Sequence, residues 1–297
     1  MDILLPKVSD LGNFKVLRVL PTSNPKRYTV GPFIFWDQMG PGEFLKDQGL
    51  DVRPHPHIGL ETITYLFDGR VTHKDSLGSD QIITPGDVNI MCAGRGIVHS
   101  ERTPFEDRAR DSRLFGIQAW LVLPTAREQT GPTFTHHAQG ALPLIQEEGV
   151  HARLILGEAF GRASPAFTHS KSIYMDVHME ADAAFVLPSL GEEMGIYLLE
   201  GDLAINGQTL TPTHMALLPE GEEVRLTSRT PARFMVLGGE ATQGERFMWW
   251  NFVSSDKACL AQAAIDWQEG RFAGVSGDSE YIPLPHVPRS CDPDACS

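Results

Sequence analysis

Two short strings, His55-Pro56-His57 and His99-Ser100-Glu101, constrain this chain more than any other feature. Each places two metal-ligand side chains at i and i+2. Successive side chains of a β-strand point to opposite faces, so residues two apart share one face. If both strings are strands that face each other, three imidazoles and one carboxylate converge. A fold that brings two distant strands together around a small polar centre is therefore required.

The rest of the chain reads the same way. Its 28 glycines and 21 prolines punctuate short apolar runs, the mark of many brief strands joined by tight turns. Runs at 28–39, 60–75, 81–94 and 114–123 are rich in β-branched and aromatic residues. Asp68-Gly69 and Pro85-Gly86-Asp87 between them have hairpin-turn chemistry. An all-β barrel or sandwich is the expected product. From Pro124 to about Gly149 the sequence turns polar and reads as a crossing linker. After it the strand grammar returns at 172–179, 183–188, 195–210, 213–226 and 232–239. The stretch ITYLFDGRVTHKDSLGSDQIITPGDV has the same order of strands and turns as IYLLEGDLAINGQTLTPTHMALLPEG, an internal repeat in pattern. The expected domains are a metal-binding barrel over 1–130, a linker over 131–149, a metal-free barrel over 150–245, and a helix with a tail over 246–297. In that last segment Ser254 or Ser255 can cap a helix, and Gly270 stops it.

The donor set decides the chemistry. Three imidazoles and a carboxylate without thiolate suit Fe(II), Mn(II), Co(II), Ni(II), Cu(II) or Zn(II) with open positions, whereas structural zinc sites are closed and often use cysteine. Pro54 and Pro56 flank His55, which confines that strand to an edge or a bulge and stiffens it. Glu61 lies an even offset from His57 but beyond Gly59, so Glu101 ranks above it as the coordinating carboxylate. Displaced, Glu61 is expected to support a ligand or line the cavity. His73, after the Asp-Gly turn, is expected to be solvated or else to line a cavity mouth, and His136, His137, His151, His169, His178, His214 and His286 show no paired spacing. The second half has no His-x-His in the matching segment and is expected to hold no metal.

Composition narrows the partners. With 25 basic against 38 acidic residues the net charge is −13, and no basic run offsets it, which argues against direct nucleic-acid binding. No apolar stretch reaches the roughly 18–20 residues of a membrane helix, and no secretory signal pattern opens the chain. Cys92, Cys259, Cys291 and Cys296 are too scattered for a disulfide framework, so a cytoplasmic setting is expected.

GLDVRPHPHIGLETITYLFDG followed by PGDVNIMCAGRGIVHSE resembles the pirin family, bicupins of the cupin superfamily. GPFIFWDQMGPGE, LFGIQAWLVLP and WWNFVSS extend the likeness over most of the chain. The resemblance implies two tandem cupin (double-stranded β-helix, jelly-roll) barrels with a short C-terminal helix. It implies one divalent metal, iron(II) in that family, held by residues matching His55, His57, His99 and Glu101. Departures fall at Ile58, where many pirins carry a basic residue, and at Cys92, where they carry threonine. Both are expected to alter the surroundings of the cavity.

Three functions follow, one of them an isomerase or other cupin reaction on a small metabolite. Bacterial pirins resemble quercetin 2,3-dioxygenases, which open a flavonol ring with O2 and release carbon monoxide. In that reading Glu101 is the general base, and Phe35, Trp36, Glu61, Met91, Phe115 and Gln118 are candidates for the wall around a flat aromatic substrate. Phe35 and Trp36 are adjacent, so only one of them can face inward. Nuclear pirins instead resemble iron-dependent redox switches that modulate a protein partner without turnover.

Overall fold

The structure is a computed structural model that describes residues 1–10, 14–21 and 29–285. His286, Cys291 and Cys296 lie outside the described residues. The chain divides into two compact units. One comprises the described residues of Met1–Ser9, Leu17–Asp37 and His137–Thr242; the other comprises those of Asp10–Val16, Gln38–His136 and Gln243–Ser297. Each is a jelly-roll in which a large sheet faces a four-stranded one, so the two-barrel, all-β expectation holds. No helix among the described residues is long and apolar enough to cross a membrane.

The unit that carries both histidine strings has a four-stranded sheet in the order Asp51–His57, Ile97–Arg102, Val71–Asp75, Asp80–Ile83. In its larger sheet Thr133–His137, Val88–Cys92, Leu60–Asp68 and Ser112–Val122 lie side by side. Leu60–Asp68 pairs antiparallel with both neighbours, setting Thr64 opposite Asn89 on one side and Gln118 on the other. The turn after it forms as read: Asp68 Oδ1 accepts from Gly69 N at 2.8 Å, and Gly69 has φ +80°. That left-handed backbone favours glycine.

Alternation then divides the interior. Leu66, Val71, Ile83 and Leu114 join Met39, Phe44 and Leu50 in one apolar cluster. Further along the same inner faces stand Thr64, His73 and Asp75. One end of the barrel is thus packed with carbon, and the other presents polar side chains. The first unit contrasts with this. Leu154, Met175, Val177, Ile196, Leu198, Leu226, Phe234 and Val236 fill its core from both sheets.

Two segments differ from their sequence reading. The polar stretch 131–149 contains the strands Thr133–His137 and Leu144–Glu147, one in each unit. Its threonines and histidines hide the alternation that an apolar strand displays. The helix Lys257–Gln268 is capped by Asp256, whose side chain accepts from Ala258 N at 2.9 Å, rather than by Ser254 or Ser255. Those serines are engaged by buried Glu128: Ser254 Oγ donates at 3.1 Å, Ser255 Oγ at 3.0 Å and Ser255 N at 3.0 Å. Arg246 Nε lies 3.2 Å from the same carboxylate, close enough for an ion pair although off the axis of a hydrogen bond. Gly270 ends the helix with φ +69°, as read.

This clasp fixes the Phe247–Trp249/Phe252–Ser254 hairpin and the helix onto the histidine-bearing barrel. Leu260 and Ala263 of the helix pack with Phe252 against Ile58. Gly59 follows, with φ +70°, and an added Cβ there would overlap the Val253 carbonyl oxygen. Only glycine lets the hairpin approach this closely. Truncating Glu128 to alanine strands the Arg246 charge in a buried position, and breaking a buried pair in this way costs about 3–5 kcal/mol. We expect Glu128→Ala to lower the unfolding free energy measured by urea denaturation by that amount; a change below about 1 kcal/mol would contradict the clasp.

Candidate metal centre

His55 and His57 come from the edge strand of the four-stranded sheet, and His99 from the strand beside it. His99 pairs with His55, but the register then slips, and Glu101 pairs with Val52. The extra residue lies at Arg53-Pro54, where proline has no N–H to lose. Edge position and bulge are what the two prolines demand.

The three rings converge. Their centroids are 4.4 Å apart for His55–His99 and 5.0 Å for both His55–His57 and His57–His99. One ligand nitrogen from each lies within 4.8 Å of the others. Main-chain carbonyls take the outer nitrogens: His55 Nδ1 donates to Arg53 O at 2.9 Å, and His57 Nδ1 to Asn251 O at 3.1 Å. With the proton held on Nδ1, each Nε2 keeps its lone pair toward the centre. His99 Nε2 is buried with no hydrogen-bond partner. An orphaned buried acceptor facing two others is costly unless something binds there, and a borderline divalent ion fits this donor set. The His/Glu cluster could bind a metal.

Glu101 adjoins this trio through His99. It forms a second group with His73 and His99, all within 4.8 Å, but not with His55 and His57. Its Oε1 accepts from Gln118 Nε2 at 3.4 Å and shares the Thr64 hydroxyl, at 3.2 Å, with Gln118 Oε1, which lies closer at 2.7 Å. Burial pushes its carboxyl above the ordinary range, opposed by His73, Thr64 and Gln118. Burial also lowers His55 to about 4, with His73 adding to the effect and the Arg53 carbonyl opposing it. Burial and the neighbouring imidazoles hold His57 and His99 well below their usual value.

The wall residues sort by face. Thr64 faces Glu101, so Thr62, opposite Met91 and Trp120, faces inward too, as does Gln118 opposite Thr64. Trp120 meets His57 edge-on at 5.1 Å. Met91 and Gln118 therefore line the site. Glu61 is odd-numbered on the same strand and faces the other way, opposite Cys92. Glu61 thus lies on the opposite face from Thr64, because no break in the strand separates the two. Cys92 shares that outer face, where burial first and then the Glu61 charge push its thiol to about 12. Ile58 likewise points away, into the helix contact. Neither departure from the pirin pattern touches the cavity. Phe115 contacts Phe67 at 4.7 Å, on the outer face with Tyr65. Phe35 and Trp36 belong to the other unit. Arg18 covers the Phe35 ring at 4.4 Å, and Trp36 packs against Tyr197 at 5.5 Å and Tyr174 at 5.6 Å.

The site also contains residues that the sequence reading passed over. His73 is buried, not solvated: it stacks on Phe134 at 4.2 Å, and its Nε2 lies 3.0 Å from Asp75 Oδ2. His73-Lys74-Asp75 has the same i, i+2 spacing that singled out the other strings, so the signal was present. His136 binds Asn89 Oδ1 at 2.7 Å. The Asn251 carbonyl had no sequence signal, being a main-chain acceptor far along the chain.

Comparisons with known proteins show the family. Residues 13–121 match the Pirin family model and 174–273 the Pirin C-terminal cupin domain. A pirin-like protein of Caulobacter vibrioides is 46% identical over 93% of this chain and 96% of its own length. The chain belongs to the pirin family. A Pseudomonas aeruginosa protein provisionally named a quercetin 2,3-dioxygenase is 36% identical, covering 95% of this pirin and 88% of the relative. The crystal structure of quercetin 2,3-dioxygenase from Acinetobacter baumannii superposes with a TM-score of 0.89 at 30% identity, over 98% of this chain and 97% of that one.

The histidine environment has a pH signature. In metal-free protein the unfolded chain binds more protons than the folded one between the ordinary imidazole value of 6.5 and the buried His55 value of about 4. Stability therefore falls as pH drops through that window and levels off above it. His55 alone contributes ~3 kcal/mol. We expect the urea midpoint of metal-free protein to fall steeply from pH about 6.5 to pH about 4 and His55→Gln to flatten part of that slope; an unchanged slope would contradict the burial account.

Proposed function

We propose that this pirin is a metal-dependent dioxygenase that cleaves a flavonol such as quercetin, with iron(II) held by His55, His57 and His99 and with Glu101 beside them. The observation that carries this reading is the trio of buried imidazoles with their outer nitrogens tied to carbonyls and His99 Nε2 left without a partner. A divalent ion bound there supplies Lewis acidity toward a substrate hydroxyl and redox chemistry with O2. The other steps belong to the protein. Glu101 accepts the proton of the flavonol 3-hydroxyl on its carboxylate. Its burial makes it a stronger base than a solvated glutamate. Thr64 and Gln118 donate to Glu101 Oε1 and so aim the carboxylate. Trp120, Met91 and Thr62 form an inner wall suited to a flat ring and keep water from the electron-rich intermediate. Similarity to quercetin 2,3-dioxygenases supports the substrate class.

The test is an oxygen electrode with protein reconstituted separately with iron, nickel, copper or cobalt, and quercetin as substrate. O2 uptake coupled to CO release is expected. No uptake with any metal would overturn the enzymatic reading, and partner capture that depends on iron oxidation state would then favour the switch. His57→Ala and His99→Ala should lose metal while keeping the wild-type circular-dichroism spectrum; a collapsed spectrum would mark a structural site instead. Glu101→Gln should retain metal and lower kcat by about 10²–10⁴-fold, and unchanged turnover would remove its role as base.

A further inference from the structure

The buried pair His73–Asp75 stands behind His99 and has no part in the mechanism above. His99 pairs with Asp75 across the strands, and Glu101 with His73, so the side chains of Val71, His73 and Asp75 face the same interior. His99 Nδ1 lies 3.4 Å from His73 Nδ1, and His73 Nε2 lies 3.0 Å from Asp75 Oδ2. The other Asp75 oxygen, Oδ1, accepts from Leu77 N at 2.9 Å and Ser79 N at 3.0 Å. Phe134 stacks on the His73 ring at an interplanar angle of 12°, which fixes its orientation.

These partners determine where every proton goes. A carboxylate can only accept, so in the neutral His73 ring the single hydrogen sits on Nε2. Its Nδ1 is then a lone pair, which can only accept. The facing His99 nitrogen must therefore donate, and the His99 proton is confined to Nδ1. That leaves His99 Nε2 as the lone pair directed to the centre. His55 and His57 reach the same state through main-chain carbonyls. His99 has no carbonyl in that role, and a carboxylate–imidazole pair occupies the position instead.

We propose that His73 and Asp75 are positioning residues that set the tautomer of His99 and thereby its competence as a ligand. The inference rests on the reading of His55, His57 and His99 as metal ligands. Partners of ligand imidazoles commonly act in this way, and their loss costs about 10–100-fold in metal affinity.

The geometry supplies a selective test. In Asp75→Asn the amide oxygen must stay at the Oδ1 position, because Leu77 N and Ser79 N donate there. The amide NH2 then faces His73 Nε2, which becomes an acceptor, and the His73 proton moves to Nδ1. Two N–H groups now oppose each other where one donated to the other, and relief requires the His99 proton to shift onto the ligand nitrogen. Shape and turn are unchanged; only the direction of the hydrogen bonds is reversed. Removing the opposing ring with His73→Phe in the same chain takes away that conflict.

Cobalt(II) titration of metal-free, full-length protein, followed by its visible absorption, reads the effect. Asp75→Asn should bind cobalt about 10–100-fold more weakly than wild type. The double variant His73→Phe/Asp75→Asn should bind more tightly than Asp75→Asn alone, a reversal that a merely structural aspartate cannot give. Long-range proton–nitrogen NMR of the metal-free proteins should place the His73 hydrogen on Nε2 in wild type and on Nδ1 in Asp75→Asn. An unchanged tautomer, a loss smaller than tenfold, or a double variant weaker than the single would overturn the proposal. His57→Ala in the same titration tests the metal reading separately. If it binds cobalt like wild type, the ligand assignment fails, and the NMR comparison still decides the tautomer.

Discussion

The site depends on one constraint: buried imidazoles must have each outer nitrogen satisfied, or their inner lone pairs will not converge. Arg53 O and Asn251 O meet that need for His55 and His57. The first acceptor is local, created by the bulge that Pro54 permits. The second arrives from the Phe247–Trp249/Phe252–Ser254 hairpin, so the C-terminal segment is part of the site's support. Glu128, its two serines and Gly59 hold that hairpin close enough for the carbonyl to reach.

The same barrel interior divides its work by position along each strand. Leu66 and Val71 close one end with carbon, while Thr64, His73 and Asp75 on the same faces furnish the other. The apolar end supplies the burial that pins the strands in register. Register in turn sets which side chains meet, since a slip of one residue would send every ligand to the opposite face. The bulge at Arg53-Pro54 shows the consequence at small scale: beyond it Glu101 pairs with Val52, and its carboxylate meets Thr64 and Gln118.

Much of this was legible in the sequence. The i, i+2 pairs fixed a face, the Asp-Gly and Pro-Gly-Asp turns fixed hairpins, and the repeat pointed to two similar barrels. The misplacements have a common origin, because alternation gives a face only when one inward residue on that strand is known. Without Thr64 as a reference, Glu61 and Phe115 could be placed on either side, and Ile58 and Cys92 looked like cavity neighbours. His73 was missed for a different reason: the strand Val71–Asp75 is short, and its Lys74 and Asp75 give it the composition of a loop. The acceptor role of Asn251 could not be read at all, since any residue supplies a carbonyl and only tertiary structure says where it points.

The central claim is that three imidazoles of the histidine-bearing barrel bind one divalent ion. Metal K-edge X-ray absorption on iron-loaded protein tests it most directly. The account predicts three nitrogen scatterers with the outer-shell pattern of imidazole rings and no sulfur shell. A spectrum without imidazole scattering, or one showing a sulfur ligand such as Cys92, would contradict it.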